Sequence, residues 1–409
     1  MIKKFLQDYS LWIAIVFTLM DLSGVVGGIG YKLYYPLLFF LAYLGITKFK
    51  KTSFIYIVYL SACLISILFN NIPSFYKIPF RFSGFVILFI AFTPISTSRY
   101  LTIIRAKAIQ FFCLFTVGTV VLNFALFKSG AVSQMALQNF EQTGMYTGST
   151  GNNEMGALGG ISLIYLSSLL CFKDRIAKKY FYISFALLFC TLAMTLLASS
   201  RSAILCAMAS ILGMLYVKFK NKLGKLLGIL CIIIIVGSTI SPIFNEYTRG
   251  IIEFKQGGNT SKFNTKSRDG LWKLRIQEFS SKPITGIGFG TISNPNKLTM
   301  STGIVETGSS WLTSLSQTGL LGTIPILIIV IGNLWYLLRL KHPDFIQTLF
   351  VGLTIFFTIH PMAEGYFTTV GAILCALFWC IHGVVYSMRH KTFLTSDIPL
   401  LFIKHKNNR

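Results

Sequence analysis

The sequence predicts an all-α fold: a polytopic transmembrane helical bundle of about twelve spans, with one large outer loop. Three observations carry that expectation. The 409 residues are 54% hydrophobic and only 12% charged, against about 25% charged in a soluble domain. The apolar residues fall in runs long enough to cross a bilayer. The basic residues cluster between those runs, in every second loop. A chain this apolar does not fold around an ordinary core in water, so a soluble enzyme, a disulfide scaffold and a disordered protein are all excluded.

The candidate spans lie near 9–28, 33–47, 53–69, 84–97, 108–127, 156–172, 180–198, 202–217, 226–243, 316–338, 345–361 and 367–387. The first is too long for a cleaved signal peptide, and no clean small-x-small site follows it. With Lys3 and Lys4 inside, alternate loops carry Lys48/Lys50/Lys51, Arg99/Arg105/Lys107, Lys173/Arg175/Lys178/Lys179, Lys218/Lys220/Lys222/Lys225, Arg339/Lys341 and Arg389/Lys391. That alternation predicts an even number of spans and both termini in the cytoplasm. It also explains much of the net charge of +24, which in a soluble protein would suggest nucleic acid; no nucleic-acid partner is expected here. The chain divides into N-terminal transmembrane helices (1–243), the large outer loop with short helices (244–310), and C-terminal transmembrane helices with a cytoplasmic tail (311–409). The eight cysteines sit inside apolar stretches without metal-ligand spacing, and read as small lipid- or helix-facing residues, not disulfides.

The loop over 244–310 is net positive although it faces outside. The positive-inside rule constrains long translocated loops weakly, so a solvated loop is one reading. A site for an anionic, phosphate-bearing ligand is the other.

Arg201 stands in Ser199-Ser200-Arg201-Ser202, at the outer junction of two spans. An arginine at membrane depth is costly unless paired, solvated or snorkelling, and as a topogenic charge it would lie on the other side. It reads as an interfacial contact to headgroups or as a phosphate clamp. In Ser267-Arg268-Asp269-Gly270-Leu271-Trp272-Lys273-Leu274-Arg275, Ser267 suits a helix N-cap. Arg268 and Arg275, seven apart, share one helix face. Asp269 and Lys273, four apart, can pair on another. Leu271, Leu274 and Phe279 supply an apolar stripe toward the bundle or the membrane surface. The helix should end before Pro283. The following Pro283-Ile284-Thr285-Gly286-Ile287-Gly288-Phe289-Gly290 marks a turn that lets backbone approach something closely.

Glu306 is the carboxylate nearest the next membrane entry. It suits a general base toward a sugar hydroxyl, or a charge complementing a helix N-terminus. His360 and Glu364 flank Pro361 in the last outer hairpin, as a His–Glu dyad or a polar turn. There is no Gly-x-Ser-x-Gly elbow, no His-Glu-x-x-His and no Asp pair for a divalent metal, so no metal or cofactor is expected.

The order of these pieces resembles the O-antigen polymerase and ligase superfamily of bacterial envelopes, the Wzy-type polymerases and ligase-type integral membrane glycosyltransferases. The resemblance covers roughly residues 140–385. It runs from Thr147 to Gly156 with Asn152-Asn153-Glu154, through Ser200-Arg201-Ser202, Ser267-Arg268 and the Pro-Ile-x-Gly-x-Gly turn, to Gly319-Leu320-Leu321-Gly322 and a late Glu364. It implies a GT-C-like, metal-independent enzyme acting on undecaprenyl-diphosphate-linked glycans at the periplasmic face of the inner membrane. Arg201 and Arg268 then correspond to the arginines that hold the donor diphosphate. Ligases carry a His-Asn pair where this chain, counted back from Gly322, has Gly308-Ser309.

The expected function is therefore an O-antigen polymerase joining lipid-linked repeat units. Arg201, Arg268 and Glu306 form the catalytic set, and Arg275, Lys273, Asn153, His360 and Glu364 bind substrate. A lipid-linked oligosaccharide serves as donor and as acceptor, among membrane lipids, and the resemblance adds a chain-length regulator and a flippase as partners. A ligase transferring the glycan to lipid A-core is the close alternative. A transporter or flippase would need charged residues along a path inside the spans, and the spans hold few beyond Asp21.

Overall fold

The computed structural model describes residues 8–22, 26–129, 152–198, 200–222, 224, 227–228, 266–302, 305, 308–391, 395 and 398. Among them the chain forms thirteen α-helices, three short 3₁₀ turns and one isolated bridge, Lys51 to Thr97. The helices are α1 (Tyr9–Asp21), α2 (Ile29–Lys48), α3 (Phe54–Leu68), α4 (Ile78–Phe92), α5 (Arg99–Lys128), α6 (Asn152–Leu170) and α7 (Lys178–Leu197). They continue as α8 (Arg201–Phe219), α9 (Lys266–Ser281), α10 (Lys297–Thr302), α11 (Ser310–Leu338), α12 (Phe345–Ile359) and α13 (Ile373–Arg389). Seven helical stretches among the described residues are long and apolar enough to cross a membrane: α2, residues 74–92, α5, α7, α8, α11 and residues 345–362. The helices α1, α3 and α13 are apolar but shorter. Eleven of the expected spans coincide with a helix; the segment 226–243 lies almost wholly outside the described residues.

Side-chain exposure reports the solvent the fold is built for. Phe39 is 59% exposed, Phe54 76% and Phe80 71%, with Leu68, Ile331 and Trp335 exposed beside them. Water penalises that much open apolar surface, whereas lipid does not, so this is an integral membrane protein. The core is aromatic: Tyr59, Phe85 and Phe89 pack around Trp379, with Phe89 and Trp379 rings 4.5 Å apart.

Among the boundaries that differ from the sequence expectation, the starts of two helices differ for one reason. Hydropathy begins the fourth and fifth spans late because basic residues open their helices. The α4 helix starts beside Lys77, at φ +51, and α5 starts at Arg99. Arg105 is consequently not a loop charge. It is buried in α5 and donates from Nε to Ala91 O (2.9 Å) and from Nη2 to Ile90 O (3.3 Å) and Ser96 Oγ (3.2 Å), satisfying carbonyls at the end of α4.

The bundle has two distinct ends. At one, Lys220 Nζ donates to Leu338 O (2.9 Å) and Asn221 Nδ2 to Lys341 O (3.3 Å), Arg389 abuts Gly332, and Lys218 lies 3.3 Å from the Phe172 ring centroid. The described Lys/Arg-rich loops thus gather on one side. The opposite end carries the start of α8, α9, the Gly-rich turn and the hairpin after α12.

At that opposite end α11 is broken. Gly319 has φ +60 and ψ −159, so the helix stops and restarts within the bundle. A broken helix exposes carbonyls on one side and N–H groups on the other, which lipid cannot satisfy. The Pro283–Gly290 turn fills the gap. Ile287 N donates to Ser316 O (2.9 Å) and Gly288 N to Gln317 O (3.2 Å), while Leu320 N and Leu321 N donate to Pro283 O (2.9 Å) and Ile284 O (3.2 Å). A Cβ at Gly286 or Gly319 would collide with the facing backbone. The close approach expected of these glycines is therefore to the chain's own α11.

Candidate active site

The α9 helix packs on α11 and ends at Ser281, two residues before Pro283. Its first turns meet Gly308, whose φ of +69 keeps that residue free of a side chain. Arg268 Nη1 and Trp272 Nε1 both donate to Gly308 O at 3.2 Å, and Leu271 packs beside the same glycine. Arg268 Nη2 reaches Glu364 Oε1 at 2.5 Å, with the two side chains 29% and 18% exposed. This charge-assisted pair is open enough for an incoming anion to share the guanidinium.

The hairpin holding Glu364 is stitched to the start of α11. Ser310 N and Oγ donate to Glu364 O (3.0 and 2.8 Å), and Tyr366 N donates to Ser310 Oγ (2.8 Å). Ser309 Oγ donates to Pro361 O (3.3 Å) and caps α11 by accepting from Leu312 N. The small residues at 308–310, in the place of a His-Asn pair, thus seat both Arg268 and the hairpin. The His360 imidazole is buried, stacks on Phe356 with centroids 4.9 Å apart, and puts Nδ1 3.3 Å from Tyr366 Oη, while the Glu364 carboxylate holds Arg268.

Arg275 shares the helix face of Arg268 but is fully buried. Its Nη1 lies 2.8 Å from Glu278 Oε2, yet none of its N–H groups is aligned for a hydrogen bond among the described residues. Burial pulls the guanidinium below the usual arginine range, and the Glu278 charge offsets part of that. Glu278 also accepts from Ser293 N (2.7 Å), Ser293 Oγ (2.8 Å) and Ser316 Oγ (2.6 Å). This network ties α9 to the Gly-rich turn and to α11. Nothing in the sequence singles out Glu278, because an i,i+3 Arg–Glu pair ordinarily lies on a solvated helix face.

Arg201 opens α8, partly exposed, where the helix dipole adds to its charge. The α8 helix packs against the turn at His360–Met362, so Arg201 lies at the same end as Arg268. Lys273 is exposed on α9, and Asn153 is exposed at the start of α6. Glu306 lies outside the described residues. The end that collects Arg201, Arg268 and Glu364 therefore offers two guanidiniums, one paired carboxylate and a helix N-terminus, an arrangement suited to binding an anion.

One family model matches part of the chain. Residues 186–327 match the O-antigen ligase family model, a stretch from within α7 to within α11 that includes Arg201, Arg268 and Arg275. Over that stretch the chain is similar to the O-antigen ligase family. No curated protein matches the chain.

Proposed function

We propose that the chain is an O-antigen-type polysaccharide polymerase, joining undecaprenyl-diphosphate-linked repeat units at the periplasmic face of a bacterial inner membrane. The observation that carries this reading is Arg268, seated between Gly308 O and Glu364 at the end of the bundle where Arg201 opens α8, within the stretch matched by the family. The family implies lipid-linked glycans as substrates.

The growing chain on its lipid diphosphate is the donor, and Arg201 and Arg268 hold the diphosphate. An acceptor sugar hydroxyl attacks the donor anomeric carbon, and the bond from that carbon to the diphosphate oxygen breaks. The electron pair leaves with the lipid diphosphate, whose developing charge the guanidiniums stabilise. Preorganised donors of this kind are worth on the order of a hundredfold or more in rate each. The hydroxyl proton passes to a carboxylate, for which we nominate Glu306. Lys273 and Asn153 are exposed at the same end for sugar contacts, while His360 and Arg275 support the site from within.

A ligase reading draws on the family description itself; Gly308-Ser309 in place of His-Asn favours the polymerase. Deleting the gene and profiling surface polysaccharide by electrophoresis separates the two. A single repeat unit on lipid core supports the polymerase. Bare core with lipid-linked polymer accumulating supports the ligase. Complementation with Arg201→Ala or Arg268→Ala should not restore the ladder; a wild-type ladder from both variants, at normal protein levels, would sink the diphosphate clamp.

A further inference from the structure

A cavity of about 500 Å³ opens between α2, α4, the Gly-rich turn and residues 368–371. That volume is in the range of small-ligand sites. Its walls are apolar and aromatic, including Tyr35, Phe39, Phe80 and Ile87. Two cations stand among them, Lys77 and Arg81, one on the turn into α4 and one in its first turn. None of the described lining residues is acidic. Phe39 and Phe80 on the rim are 59% and 71% exposed, so the cavity communicates with the surface that faces lipid. Apolar walls with a cationic corner match an amphiphile with a phosphate at the junction of its polar and apolar parts.

The cavity also adjoins the Arg268 site without being part of it. Val305 lines it and Gly308 receives Arg268, three residues on. Thr368 lines it and Glu364 pairs with Arg268, four residues back. Fully extended chain bounds those two separations at about 11 and about 14 Å. A short oligosaccharide covers such a distance. A lipid diphosphate in the cavity can therefore present its sugars toward the Arg268 end.

We propose that this cavity holds the diphosphate and first isoprenoid units of the acceptor, a second lipid-linked glycan, with Lys77 and Arg81 as its phosphate ligands. The proposal rests on the polymerase reading, in which both substrates carry a lipid diphosphate.

The test counts binding equivalents of radiolabelled undecaprenyl diphosphate on the full chain in phosphatidylcholine nanodiscs. Wild type should bind two. Lys77→Gln/Arg81→Gln should bind one, the second weakened at least tenfold, and Arg268→Gln should lose the other. Gly84→Leu is the second variant. A Cβ at Gly84 makes only ordinary contact with Val370, so the larger side chain fills the cavity without changing any charge, and it too should bind one. Two equivalents on the Lys77/Arg81 variant would overturn the proposal, as would displacement of the cavity equivalent by excess phosphatidylglycerol, the mark of a general anionic-lipid site. If Arg268→Gln keeps two equivalents while the Lys77/Arg81 variant keeps one, the donor clamp has failed and the cavity stands.

Discussion

At Arg275 the guanidinium has lost contact with water and faces a single carboxylate; at Arg268 the same group keeps an exposed edge beside Glu364. The two arginines are one spacing rule apart in sequence and do different work. Removing Glu278 would strand a buried charge, a change that costs about 3–5 kcal/mol, and would orphan Ser293 and Ser316 as well. Glu278→Ala should therefore lower the unfolding temperature of the detergent-purified chain markedly, and Arg275→Met added to it should recover much of the loss. An unchanged midpoint in the single variant would show that the pair carries no structural load. Asp8 gives a pH-dependent case. Burial raises its carboxyl, but hydrogen bonds from Lys107 and Ser10 and the Lys107 charge outweigh that and hold it below the usual carboxylate range. With the folded value below the unfolded one, the pair stabilises fully above the unfolded value and is lost as pH falls through the folded one. Asp8→Asn should thus reduce thermal stability near neutrality, and the difference from wild type should vanish in acid; a constant difference across that range would contradict the assignment. Residue types were legible in the sequence here, and pairings were not. Arg268 and Glu364 are 96 positions apart, and nothing in either segment names the other.

Helices are where the sequence spoke most clearly, because lipid demands long apolar runs and the runs are counted directly. The break in α11 was hidden for the same reason. Gly319-Leu320-Leu321-Gly322 is apolar and reads as continuous span, whereas the backbone turns out at Gly319 and is repaired by a loop some thirty positions earlier in the chain. The Gly-rich turn announced a close approach but not its target. Any other residue at 319 must adopt φ +60 with ψ −159, a region essentially reserved for glycine, and its Cβ would also strike the Ile284 carbonyl. Gly118 in α5 has helical neighbours only and open space around it, so alanine there should be neutral or stabilise by about 0.5–1 kcal/mol. Gly319→Ala should consequently unfold at lower temperature and lose polysaccharide ladder formation, while Gly118→Ala does neither. Equal behaviour of the two variants would mean that the break does not position the site.

For the molecule as a whole, the charge distribution sets the direction of insertion. The loops rich in Lys and Arg meet at one end of the bundle, and the clustered site residues, with α9 and the Gly-rich turn, occupy the other. Lys and Arg resist translocation, so the basic end should face the cytoplasm. The site end, held apart by about a bilayer's thickness, should face the periplasm, where a lipid-linked glycan presents its sugars. Asn294, beside the Gly-rich turn, and His342, between α11 and α12, are both exposed and belong to opposite ends. Cysteine placed at each reports the direction, since the described native cysteines are buried or partly buried. In spheroplasts with intact inner membranes, Asn294→Cys should react with a membrane-impermeant maleimide, and His342→Cys should react only after permeabilisation. The reverse pattern would put the arginines of the site in the cytoplasm. A periplasmic transfer of lipid-linked sugars would then be impossible at this site, whatever the family match says of its residues.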